Sequence, residues 1–465
     1  MTLRNIYPPL EAQSWPVARE WRALDELCAG VFDCPHTTPD LTEDGPYVVR
    51  SQDVRSGVFR VDEAAHVSEE TYKERIARAE PQHGDLLYSR EGTYFGNAAE
   101  VPPDTRVCLG QRMVLIRPNP KHLNSRFLRF WLNSPALSSH IRGFRDGTVA
   151  ERLNMPTIRN IPVPLFSLAE QEAIALALGG LDEKVELNRR MNRTLEAMAQ
   201  AIFHDWFVDF GPVRRKLGGA SDPVEIMGGI TPDRPRAAEL AHLFPSALSD
   251  DGLPDGWRQR AIGDLVEICG GSTPSTADER LWHPADHRWA TPKDLSNMLD
   301  LALFETGRRI SSAGLSKITS GLLPPGTVLL SSRAPIGYLA IAQAPVAINQ
   351  GFIALKPTEE LGSAYLYLWC KAHMEAILAN ANGSTFQEIS KKNFRPIASA
   401  MPSNPALLNA FGDFAQPLIG RIVAAAAEAR TLAETRDYLL PRLMSGEVRV
   451  HEAERETAPA LAEAC

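Results

Sequence analysis

Apolar residues recur every seven positions in two stretches of the chain. In the first, Ile174, Leu181, Asn188, Leu195 and Ile202 fall on one register. In the second, Leu418, Ala425, Leu432 and Leu439 do the same. Such seams predict long helices that pack along an apolar stripe. The first helix is expected from about Leu168 to Phe207 and the second from about Pro405 to Leu440, with Pro417 expected to kink or break it near its start. A shift of 237 places Leu181, Leu195 and Ile202 on Leu418, Leu432 and Leu439, so the seams are equivalent positions of a repeat. Mutual antiparallel packing is the expected arrangement, with Asn188 in the seam able to fix register.

The repeat extends beyond the helices. Gly84-Asp-Leu-Leu-Tyr-Ser-Arg90 matches Gly326-Thr-Val-Leu-Leu-Ser-Ser-Arg333, read here with one inserted residue. Gln111-Arg-Met-Val-Leu-Ile-Arg-Pro118 matches Gln350-Gly-Phe-Ile-Ala-Leu-Lys-Pro357, and Phe127-Leu-Arg-Phe-Trp131 matches Tyr365-Leu-Tyr-Leu-Trp369. Every pair is offset by 236 to 243 residues, an ordered series that indicates duplication. Short β-type runs such as Tyr47–Arg50, Val114–Arg117, Thr327–Ser331 and Phe352–Lys356 are punctuated by Gly and Pro. The fold class predicted is α+β: two similar mixed α/β domains joined by two long antiparallel, coiled-coil-like helices. The boundaries expected are a first globule at 1–165, a helical spacer at 166–210, a Gly/Pro-rich linker at 211–256 with a helical patch near Ala237–Leu243, a second globule at 257–402, a second spacer at 403–446 and a tail at 447–465.

Composition narrows the function. The 465 residues are 44% hydrophobic and 23% charged, enough to build two or three domains and unlike a disordered or collagenous chain. The opening MTLRNIYPPLEAQSW has no apolar signal core, and no run approaches ~18 apolar residues, so a cytoplasmic chain is expected. Six cysteines show no Cys-x-x-Cys pair, and the histidines do not group at ligand spacing, so no metal site is expected. Phosphate-loop, nucleophile-elbow and His-Glu-x-x-His motifs are all missing. Recognition is favoured over catalysis.

A net charge of −8, from 49 basic and 57 acidic residues, argues on its face against a polyanionic partner. Resolved by region, residues 1–165 carry 20 basic and 21 acidic, and 257–402 carry 14 and 12. The globules are near neutral and the acidity lies on helices and linker. Basic and short polar residues in loops of a neutral globule suit phosphate and base-edge contacts. The candidates are Arg90, Tyr94, Arg112, Arg145, Thr148 and Arg152 in the first globule. In the second they are Lys293, Arg333, Gln350, Thr385, Gln387, Lys391 and Lys392.

Leu181-Asp-Glu-Lys-Val-Glu-Leu-Asn-Arg-Arg-Met-Asn192, continuing through Thr194-Leu-Glu-Ala-Met-Ala-Gln-Ala-Ile-Phe203 to Trp206-Phe-Val-Asp-Phe-Gly-Pro-Val213, resembles the central helical region of the specificity subunit of type I restriction–modification enzymes. Leu439-Leu-Pro-Arg-Leu-Met-Ser-Gly-Glu447 resembles its C-terminal helical region, and Gly252-Leu-Pro-Asp-Gly-Trp257 the entry to its second recognition domain. The resemblance covers roughly residues 20–450. It implies a non-catalytic subunit with two target recognition domains for a bipartite, asymmetric site on double-stranded DNA. It also implies docking of two methyltransferase subunits and of restriction/motor subunits, with S-adenosylmethionine, ATP and Mg held by those partners. Helices of about 36–40 residues, roughly 55–60 Å long, compare with a DNA turn of about 34–36 Å, so half-sites about one turn apart are within reach. The readings left beside it are a related system with a fused methyltransferase–nuclease partner, a stand-alone DNA-modifying enzyme, and a coiled-coil scaffold without a DNA role.

Overall fold

A computed structural model describes residues 20–55, 57–92, 94–142, 152–296, 298–383 and 387–448. The chain divides into two units, one holding the residues up to 185 and those from 430 onward, the other holding 186–429. The division runs through both long helices.

In the first unit a four-stranded antiparallel sheet has the order Cys28–Asp33, Met113–Pro118, Leu86–Ser89, Ala98–Glu100. Its central strand, Leu-Leu-Tyr-Ser, is buried along its whole length. That is why it reads as an uninterrupted run rather than an alternation. Thr42–Val49 forms a second sheet, pairing antiparallel with Ala65–His66 and parallel with Val107–Leu109. Val49, Val54, Leu87, Ala99, Leu109, Met113 and Leu115 pack into a core beneath them.

The second unit repeats the plan. Its five-stranded sheet runs Ile268–Gly270, Phe352–Leu355, Val328–Ser332, Ile336–Ala342, Ala302–Leu303, and its three-stranded sheet is Arg308–Ile310, His287–Ala290, Val346–Ile348. The pairing of Trp21–Ala23 with Pro162–Pro164 in one unit matches that of Arg258–Ala261 with Ala398–Met401 in the other.

The register aligns the copies more tightly than the sequences do. Ser89 faces Met113 in one, and Ser331 faces Phe352 in the other. Gly84 to Ser89 therefore matches Gly326 to Ser331 without any inserted residue. Arg90 is the counterpart of Ser332, and Arg333, one position further on, is the counterpart of Glu91. The matching of Arg90 with Arg333 is corrected accordingly.

The first long helix spans Leu168–Phe203. Ser167 and Glu170 cap its start reciprocally: the Glu170 carboxylate accepts from the Ser167 amide at 2.9 Å, and Ser167 Oγ accepts from the Glu170 amide at 3.3 Å. A π-helical turn, His204–Val208, closes the helix, and Phe210 in left-handed conformation ends it. The second long helix spans Pro405–Ser445. It continues through Pro417, so the expected break does not occur. Phe411, Ala415, Ile419 and Ile422 around it are core residues, and their burial outweighs the roughly 3 kcal/mol that an interior proline costs.

Both seams are used. In the first unit Leu181, Leu432 and Leu439 are fully buried. In the second, Leu195, Ile202 and Leu418 pack half-buried against the large core. There Asn188, 2% exposed, donates from Nδ2 to Glu428 Oε2 at 2.8 Å. Asn188 with Glu428 and Phe203 with Phe411 pair residues in opposite order along the two segments, so the helices run antiparallel within that unit.

Residues 211–256 are not a linker. They form helices Gly211–Leu217, Pro223–Ile226 and Arg234–Leu243. Val213, Ile226, Met227, Leu240, Phe244 and Leu253 enter the core of the second unit. Each of these helices has proline in its first turn, where the missing N–H is not needed. Three of the prolines that suggested a linker, Pro212, Pro223 and Pro235, are helix starts. Lys216 Nζ fixes the segment by donating to the carbonyls of Ala241 (2.7 Å) and Phe244 (2.6 Å). Among the described residues no helix is long and apolar enough to cross a membrane.

Candidate nucleic-acid interface

In the first unit the candidates converge where the central strand ends. The Arg90 amide donates to the Arg112 carbonyl at 3.0 Å, and the Arg90 carbonyl accepts from the Leu153 amide at 2.9 Å. Glu91 forms a backbone bridge with Arg152. Three segments distant in sequence thus bring Arg90, Arg112 and Arg152 together. Arg112 sits at φ 70°, uncommon for a residue with a side chain, and its exposed guanidinium lies 3.4 Å from Glu91. Arg90 points inward, and its Nη1 donates to Asp33 Oδ1 at 2.8 Å. Tyr94 lies under the Arg55 guanidinium, 4.8 Å from the ring centre. Arg55 is a cation that sequence reading passed over, since nothing local marks its stacking partner. Arg145 and Thr148 lie outside the described residues.

The second unit builds the same junction. The Ser332 amide donates to the Gly351 carbonyl at 2.8 Å, and its carbonyl accepts from the Ile389 amide at 3.0 Å. Arg333 forms a backbone bridge with Glu388, and their side chains approach to 3.7 Å. Acid and base have exchanged places: Glu91 faces Arg152 in one copy, and Arg333 faces Glu388 in the other. The backbone frame is preserved while the donors it presents are inverted. Gln350 meets Thr273, Oγ1 to Oε1 at 2.5 Å. Lys391 and Lys392 are exposed on the short helix Lys391–Phe394, capped by Ser390. Lys293 is exposed on Pro292–Ser296, a helix that reaches Gly351 closely enough for a Cβ there to meet Pro292. Gln387 is exposed; Thr385 lies outside the described residues.

A further cation was not anticipated. The Arg308 guanidinium stacks 3.7 Å from the Trp282 ring centre and 5.3 Å from that of Trp289. The paired tryptophans were the only available signal.

One histidine does lie beside other side chains able to ligate a metal. Donor atoms of Asp33, Cys34 and His36 all lie within 4.8 Å of one another, next to Arg90. Burial pushes the Cys34 thiol up, while the Met113 amide donating to the sulfur favours the thiolate.

Two repeats, each framing a loop junction with its own charged and polar donors on a conserved backbone, define a bipartite recognition protein. Comparison with known proteins specifies it. A family model described as the type I restriction modification DNA specificity domain matches residues 35–197 and again 254–405. The chain belongs to this family and is a type I restriction–modification specificity subunit with two target recognition domains. Such subunits are non-catalytic and work in complexes with DNA and modification subunits.

The HindI specificity subunit of Haemophilus influenzae is 26% identical over 402 residues, covering 78% of this chain and 86% of that one. The MjaIX specificity subunit of Methanocaldococcus jannaschii is 37% identical over 153 residues, 32% of this chain and 35% of that one. The S subunit of a type I system from M. genitalium shares the fold, with a TM-score of 0.50 at 15% identity over 94% of this chain and 98% of that one.

Proposed function

We propose that the loop junction of each repeat reads one half of an asymmetric, bipartite site on double-stranded DNA. The observation that carries this reading is the shared junction with inverted contents: Arg112 and Arg152 beside Glu91 in one copy, Arg333 beside Glu388 in the other. One frame presenting different donors is what two unlike half-sites require. Lys391, Lys392 and Lys293 supply phosphate contacts near the second junction. The long helices offer docking surfaces to two methyltransferase subunits, and restriction/motor subunits join that assembly. Exposed Leu187 and Met198 support this role, being eleven residues apart and so on one helix face. In this reading S-adenosylmethionine, ATP and Mg belong to the partner subunits, and the complex works in the cytoplasm.

The test is selection of bound duplexes from a random pool by the complex assembled with its methyltransferase partner. Arg112→Ala is expected to relax preference in one half of the selected motif only, and Arg333→Ala in the other only. Each loses about 1–3 kcal/mol of discrimination at the affected base. Equal loss over both halves from either variant would overturn the assignment.

A further inference from the structure

We propose that Asp33, Cys34 and His36 bind one divalent transition-metal ion of the zinc class beside the first recognition junction. His36 Nε2 and Asp33 Oδ2 are 3.3 Å apart. A tetrahedral zinc with nitrogen and oxygen ligands at about 2.0–2.1 Å separates those two atoms by about 3.3–3.4 Å. The thiol sulfur, a ring nitrogen and a carboxylate oxygen of the three residues all lie within 4.8 Å of one another, and a closure of up to about 1.3 Å brings the sulfur to the roughly 3.5 Å from the other two that a tetrahedral ion with a zinc–sulfur distance of about 2.3 Å requires. Thiolate, imidazole and one carboxylate select zinc, cobalt or copper over magnesium or calcium. Three protein ligands leave a fourth position for water.

The surroundings are those of a prepared site. Asp33 is the last residue of its strand, paired with Val114. The loop that follows is clamped from two sides. Buried Arg75 donates to the carbonyls of Pro35 (3.4 Å) and Thr37 (3.2 Å), and Gln111 Nε2 donates to the His36 carbonyl at 2.7 Å. Asp33 divides its oxygens: Oδ2 faces His36, while Oδ1 accepts from Arg90. Arg90 is thus the outer-shell donor that orients a ligating carboxylate. On binding, the Cys34 proton leaves to solvent and the thiolate takes its place on the ion. The junction therefore gains one net positive charge, where a polyanion is to be read.

The site is a property of one repeat. The equivalent strand pairing in the second copy, Ile353 with Gly270, leads into Gly271-Ser-Thr-Pro274-Ser275, which has no Asp, Cys or His.

The test uses the full chain, stripped with chelator and titrated with cobalt(II). The expected result is one equivalent bound with a thiolate-to-cobalt charge-transfer band and the intense visible bands of a tetrahedral ion, both erased by added zinc. Cys34→Ser, nearly isosteric, is expected to lose the charge-transfer band with an unchanged far-ultraviolet circular dichroism spectrum, and Cys28→Ser to keep it. His36→Ala is expected to weaken binding at least about tenfold. No band in the folded wild-type chain overturns the proposal, as does a band that survives Cys34→Ser or an affinity unchanged by His36→Ala. These readouts need no DNA, so they stand apart from the recognition reading.

Discussion

Asp182 is the acid of a buried three-charge cluster in the first unit, and Asp182→Asn is expected to loosen that cluster severely. Its Oδ1 takes Arg436 Nη1 at 2.6 Å, and its Oδ2 takes Arg129 Nη2 at 2.9 Å. The side chains are 14, 20 and 10% exposed respectively. Each pair is worth about 4 kcal/mol in gross attraction at an effective dielectric of about 20. Desolvating these ions offsets much of that sum, so the cluster adds little net stability, yet removing Asp182 leaves Arg436 only the more exposed Asp437 at 2.7 Å and Arg129 only Glu100 at 4.0 Å as charged partners. For Arg436, burial disfavours the charge, and the Asp182 and Asp437 carboxylates together more than restore it, so the net shift is upward.

Losing one partner of a buried ion pair costs about 3–5 kcal/mol. A cavity of about 300 Å³ beside the cluster, reached by Asn97, Asn133 and Arg142, lets water relieve the stranded charges, which places the cost near 3 kcal/mol. Hydrogen exchange of peptides covering 168–185 and 430–445 reads this locally. Protection there is expected to fall roughly a hundredfold. The exposed pair Arg430–Glu434 is the control, and Arg430→Ala is expected to change protection by about 0.3–0.5 kcal/mol. A loss under about 1 kcal/mol in Asp182→Asn refutes the reasoning. So does a double variant Asp182→Leu/Arg436→Met that is no more stable than Asp182→Asn.

Three further outcomes are expected in the second unit. Asn188→Asp sets a second carboxylate against Glu428, now 2.8 Å from the amide. It should cost about 1–3 kcal/mol at neutral pH, and urea titrations should show recovery on acidification toward pH about 4, because the folded pair holds a proton that the unfolded chain has released. Phe411→Ala removes a ring set edge-on to Phe207 at 5.0 Å and Phe203 at 5.7 Å; urea unfolding followed by near-ultraviolet circular dichroism should register about 3–5 kcal/mol. His373 stacks on Trp369 at 4.6 Å; burial, with help from nearby His204, holds it below its ordinary 6.5. The unfolded chain therefore takes up the proton first, and protection of peptide 363–379 should fall as pH drops below about 6.5, by at most about 1.4 kcal/mol per unit. His373→Gln should flatten that slope.

What the sequence disclosed and what it concealed separate by the range of the interactions involved. The seams were legible because Leu181, Leu432 and Leu439 obey a local period that burial enforces. The run Thr327–Ser331 was legible as a strand because Val328–Ser332 is buried along its whole length. Pro212, Pro223 and Pro235 misled because proline serves a turn and a helix start equally well; only the packing of Phe244 and Leu253 decides between them. The Arg90–Arg333 match failed for a related reason. Likeness of side chains is a weaker guide than the ladder register, and the register depends on partners 21 to 24 residues away, as Met113 is from Ser89 and Phe352 from Ser331. Arg90 itself was taken for a free cation because its partner Asp33 is 57 residues distant. The Asp33–Cys34–His36 cluster is local, but Cys-x-His across a proline matches no familiar ligand spacing. Each junction is built from segments distant in sequence. Local pattern therefore identifies the frame that builds a junction, and only tertiary pairing reveals which donors the junction presents.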